Sequence, residues 1–166
     1  MGFGEKPVTV QEKQTQGRTA IEYLREGRNA QAYVLLSEMG TDKDPSSCFA
    51  LGLCHFRAGD LTEAISFFEQ ALDLIKAMPQ GFASNVRAEN SETYKKLSIG
   101  HIANKIYLNP MDKNFCTQFP KAAEQNILLA LIDMYKNNGM KEHARRLSSA
   151  LTGPVFEAYK KELMEN

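Results

Sequence analysis

The stretch LGLCHFRAGDLTEAISFFEQAL, residues 51–72, joins two amphipathic helical runs through Ala58-Gly59-Asp60 and places Gly52 inside the first of them. A glycine in a helix interior costs about 0.5–1 kcal/mol relative to alanine, so this one demands a return in packing. The neighbouring small residues supply the reason. Gly52 and Ala64 allow two antiparallel helices to approach closely, Ala71 admits a following unit, and Gly59 permits the tight turn between them. A chain built this way stacks helix pairs.

The apolar period is helical nearly everywhere, and no run alternates as a half-buried strand would. Residues 1–11 lack periodicity and are expected as a flexible N-terminal segment ahead of a helical domain over 12–166. Helices are expected from about Glu12 to Glu26 and Ala30 to Met39, then from a Ser N-cap in GTDKDPSS to about Arg57. Asp60 caps the next, with Glu63 as capping-box partner, and Pro79 ends it. After the loop PQGFASNVRAEN, Ser91 caps a helix reaching about Leu108, and Asn109-Pro110 reads as a cap with a first-turn proline. Residues 111–119 fit a short helix or an irregular loop. Pro120 opens a helix to Asn137, 141–151 forms its partner, and a last helix follows Gly153-Pro154.

Twenty Lys and Arg balance twenty Asp and Glu, which argues against a dedicated nucleic-acid binder. Residues 1–79 hold 8 basic and 11 acidic side chains, and 80–166 hold 12 and 9, a mild asymmetry expected of a solvated surface. The longest apolar run, Ile127 to Ile132, is far short of the ~20 residues that span a bilayer. The N-terminus has no apolar core of signal-peptide type, and Lys6 stands where a myristoylation motif wants Ser or Thr. Three cysteines, an odd number, argue against a disulfide framework. Together these suggest a cytoplasmic protein with reduced thiols.

Leu51, Gly52, His55, Gly59, Ala64, Phe68 and Ala71 fall at the spacing of a 34-residue helix–turn–helix unit, with Cys48 where that unit often carries Trp. In this the chain resembles the tetratricopeptide-repeat family. The same frame recurs around 13–44 (Ala20, Tyr23, Gly27, Ala32, Leu36), 91–124 (Tyr94, Leu97, Ser98, His101) and 125–153 (Leu128, Leu131, Ile132, Tyr135, Gly139, Ala144). In the third unit Pro110 occupies the place of the small packing residue. The resemblance implies an all-α fold, a right-handed superhelical array of antiparallel helix pairs in four degenerate repeats with a C-terminal capping helix.

It also implies a function. In this family the first helices of successive repeats line a concave groove that holds a peptide. The matching groove positions are Gln14, Arg18, Ile21 and Arg25 in the first unit, then Phe49, Leu53, Phe56 and Arg57. The third unit contributes Glu92, Lys95, Lys96 and Ile99, and the last Asn126, Leu129, Asp133 and Lys136. Six cations against two anions suit an acidic, amphipathic protein or peptide segment. The carboxylate clamp for chaperone tails is missing, its places held by Gly17, Ile21, Ala50, Asn126 and Ala130. The alternatives are a small secretion-type chaperone, or a self-associating protein whose groove is filled by residues 1–12 or a second copy. No nucleophile–base set, phosphate-binding glycine loop or metal-ligand spacing occurs, and Cys48, Cys54 and His55 do not share one helical face. A non-catalytic module without cofactor, metal, nucleic acid or membrane partner is expected.

Overall fold

Phe68 explains Gly52. In the computed structural model, which describes residues 9–40, 44–79 and 91–165, a Cβ on Gly52 would lie 2.5 Å from the Phe68 ring. The bare backbone is the floor on which that ring rests. The two residues sit on α3 (Pro45–Ala58) and α4 (Leu61–Lys76), which pack against each other along their lengths. Phe49 tilts against Phe68 at 5.0 Å between centroids, and Ala64 and Ala71 are fully buried beside them. Gly59 closes α3 in the left-handed region at φ +85°, where glycine carries no Cβ penalty. Asp60 then caps α4 by accepting from the Glu63 N–H.

The pair before it consists of α1 (Val10–Arg25) and α2 (Asn29–Met39). Thr9 caps α1 in a capping box with Glu12, so the helix starts two residues before the expected Glu12. Residues 1–8, most of the expected flexible segment, lie outside the described residues. Ala20, Ile21, Leu24, Ala32 and Leu36 bury against Ala50, Leu51 and Cys54 of α3 in a core of their own. The N-cap of α3 is Asp44, not a serine. It accepts from the Ser46 N–H and hydroxyl and from the Ser47 hydroxyl, and Pro45 takes the first turn.

The chain then departs from the repeat frame. Residues 80–90, which include most of the long loop, lie outside the described residues. α5 (Glu92–Ala103) buries no residue completely, because Tyr94, Leu97, Ile99 and Ile102 do not fall on one stripe. Leu97 is 70% and Ile99 59% exposed. Instead of continuing to Leu108, α5 stops at Ala103. Lys105 enters the left-handed region at φ +51°, and a 3₁₀ turn covers Ile106–Leu108. Pro110 belongs to no helix. Asp112 accepts from the Phe115 N–H and starts a short α6 (Lys113–Gln118).

α7 (Pro120–Asn137) and α8 (Lys141–Ser148) restore the pairing, and α4 packs directly on α7. The Tyr135 hydroxyl donates to Glu69 across that contact. α9 (Val155–Glu165) packs on α8, where Arg145 Nε donates to the Leu163 carbonyl at 3.3 Å. The order of stacking is therefore α1/α2, α3/α4, α7/α8, with α9 at the end. The frame at 91–124 supplies no antiparallel pair of its own. Among the described residues there is no strand.

The Gly52–Phe68 contact makes a prediction against helix propensity. Gly52→Ala should lower stability by about 1–3 kcal/mol through overpacking, read from the urea midpoint. Adding Phe68→Leu should return part of that loss, because the two positions share one contact. A Gly52→Ala protein more stable by the ~1 kcal/mol of added propensity would contradict the packing.

Candidate functional site

α1, α3 and α7 are the first helices of the three pairs, and a later segment of the chain packs on two of them, α3 and α7. The 3₁₀ turn lies on α7, and α6 lies across α3 and α7. Tyr107, Met111 and Cys116 from this segment join Phe49, Leu53 and Leu129 in a single buried cluster.

Polar contacts fasten the cover along its length. Lys105 Nζ donates to Asp133 Oδ2 on α7 at 2.8 Å. His101 Nε2 lies 2.8 Å from Asn126 Oδ1, and the Asn126 amide in turn reaches the Met111 sulfur at 3.6 Å. Asp112 stands 3.9 Å from Arg25 of α1. Asp133 is only 8% exposed, and a carboxylate so placed requires a partner. Lys105 is that partner. Burial first, and then the Asp133 carboxylate, push the phenols of Tyr107 and Tyr159 up, Tyr159 to about 12. Both are therefore neutral near Asp133.

The carried-over groove positions have separate fates. Phe49, Leu53 and Leu129 are fully buried beneath the cover, and Ile21 is buried between α1 and α3. Phe56 is half-buried against the main cluster. Arg57 turns towards the previous pair, donating to the Leu24 carbonyl at 2.8 Å and to Asn29 Oδ1 at 2.7 Å. Arg25 is paired with Glu22 and Asp112. Lys95, Lys96 and Ile99 ride on α5, which packs on the 3₁₀ turn and α9 rather than in the row of first helices, and Lys95 pairs with Glu92. Arg18 is exposed on α1, as is Lys136 on α7, 6.0 Å from the Tyr159 ring. The structure brings Phe49, Leu53 and Leu129 together and scatters the cations.

Sequence reasoning missed Lys105, Tyr107, Met111, Asp112 and Cys116. Asp133 did stand among the groove positions, and its partner could have been sought among the lysines of the poorly matching unit. Pro110 was the available signal: it marks where the repeat's second helix cannot form.

The cysteines are packing residues divided between two cores. Cys48 and Cys116 belong to the larger and Cys54 to the smaller, and none of the three is in a disulfide. His55 stacks on Phe67 at 5.2 Å. Among the described residues no group of three or more His, Cys, Asp or Glu is placed to hold a metal ion. No helix among them is long and apolar enough to cross a membrane.

An array of antiparallel helix pairs, each burying its face against the next, defines the helical-repeat class. Residues 45–77 match the family model of the tetratricopeptide repeat. The match covers the α3/α4 pair, and the flanking helix pairs pack on it in a similar helical array. No curated protein and no solved structure matches the chain.

The buried thiols yield a prediction about alkali. Burial above all pushes Cys116 from its ordinary 9.0 up to about 12, with Asp44 and Asp112 adding to it, and pushes Cys54 to about 11. Stability held by these protonated thiols is complete below pH about 9, and it declines as pH rises from there towards those values, since the unfolded chain loses its thiol protons first. Iodoacetamide at pH about 8 should modify both at least on the order of a hundredfold more slowly than in denaturant, because thiolate is the reactive form. Modification of Cys116 at the unfolded rate would contradict its burial.

Proposed function

We propose that the chain is a non-catalytic protein-interaction module that receives a segment of another protein along the face of α1, α3 and α7. Tetratricopeptide repeats generally mediate protein–protein interaction, and the α3/α4 pair carries the family's pattern. The observation that supports this face is its apolar row. Phe49, Leu53 and Leu129 are buried in one cluster with Tyr107, Met111 and Cys116 of a separate segment, and Phe49 also packs on Phe68 of α4.

The exposed cations Arg18, Lys96 and Lys136 support an acidic, amphipathic ligand. Arg25 and Arg57 are engaged within the fold and add little to that charge. The apolar anchors therefore carry more of the reading than net charge does. The covered face favours a module closed on itself over one filled by a second copy.

A photo-crosslinking residue placed at Arg18 or at Lys136, in the cells that make the protein, tests the face directly. The same discrete protein adduct should form from both positions and not from Gln70, exposed on α4. No adduct from either position, or identical adducts from all three, would contradict the assignment.

A further inference from the structure

We propose that residues Lys105–Gln118 are a built-in ligand of the first-helix face, and that the external partner is a protein segment of the same chemistry which displaces them. This deepens the interaction-module reading and rests on it. The segment has the features of a bound peptide. It packs on two first helices at once, α3 and α7, and buries Tyr107, Met111 and Cys116 against side chains that a repeat groove would offer. Two of its charges have partners on the array, Lys105 in Asp133 of α7 and Asp112, near its middle, in Arg25 of α1.

Its attachment is also suited to release. α5, which leads into it, buries no residue completely. The backbone at Lys105 sits at φ +51°, a left-handed conformation that a lysine holds only while surrounding contacts impose it. The Lys105–Asp133 pair at 2.8 Å is such a contact. α6 is a short helix of six residues, too short to be stable when detached from the array. Opening at Lys105 thus frees a segment that has little structure of its own to preserve, while α1, α3, α4 and α7 keep their mutual packing.

The displacing partner is defined by what it must replace. It carries a cation for Asp133, an aromatic residue two positions on, and an apolar–acidic pair six and seven positions on, as Lys105, Tyr107, Met111 and Asp112 do. A tethered ligand competes at high effective concentration. The apparent affinity for a partner therefore scales with the fraction of molecules in which the cover is open.

Two measurements on the full chain test this. By hydrogen exchange of the wild type, the amides of Tyr107–Gln118 should exchange through an opening that leaves α3 and α7 protected, at least roughly tenfold faster than those helices. Exchange of all three as one unit would overturn the proposal. A fluorescent peptide with the sequence of residues 104–118 should bind the Lys105→Ala, Tyr107→Ala protein at least about tenfold more tightly than wild type, and a scrambled peptide should bind neither. Equal or weaker binding with helix content intact would overturn it, as would loss of helix content in that variant, which would make the segment a part of the core. An opening cover with no adduct at Arg18 or Lys136 leaves the cover standing and removes the partner. Adducts with no opening remove the cover alone.

Discussion

The ring of Phe68 on the bare backbone of Gly52 sets how closely α3 and α4 approach, and the rest of the array is built outward from that pair. With Ala64 and Ala71 flanking the contact, the two helices leave no gap for a side chain to fill. α4 then has a second face to offer. Its apolar residues Leu61, Ala64, Ile65, Phe67, Phe68, Ala71, Leu72, Leu74 and Ile75 make one wide stripe of the kind that serves two neighbours. α3 lies on one side of that stripe and α7 on the other.

α7 is the consequence. It touches α4, α6, α8 and the 3₁₀ turn, and a helix enclosed on so many sides must be apolar around its circumference. The unbroken run Ile127-Leu128-Leu129-Ala130-Leu131-Ile132 is that requirement written in sequence, and all six residues are buried. The carboxylate of Asp133, one residue further, is accommodated because Lys105 reaches it. Where α7 takes the place next to α4, the segment Lys105–Gln118 has no slot in the stack and packs on α3 and α7 instead.

The α3/α4 pair was fully legible in sequence, because small and aromatic residues at fixed spacing report a close contact between two helices joined by a short turn. The bounds of α7 were legible for a related reason, since Pro120 and Gly139 punctuate a continuous apolar period. The order of stacking was not. Tyr94, Leu97 and His101 follow the repeat spacing locally, yet spacing alone does not say which neighbour a helix meets, and α5 lacks the stripe that would hold it in the row. The site divided along the same line. Phe49, Leu53 and Leu129 belong to well-patterned helices, and all three are buried in one cluster. The residues that cover them were missed because Lys105 through Cys116 have no periodic structure to read, and their partners are distant in sequence. Arg57 was misleading for a further reason: its position on α3 suits a groove, but the carbonyl of Leu24 and the Asn29 amide draw its guanidinium to the corner between α1 and α2.

α4 packs directly on α7, and the segment Lys105–Gln118 lies on α3 and α7. Nuclear Overhauser contacts in the folded chain test both halves at once. Contacts are expected from the Tyr135 ring to the Glu69 side chain, and from the Met111 methyl group to the side chain of Asn126. Contacts joining α4 to α5 in a regular third repeat, with Met111 remote from α7, would contradict it.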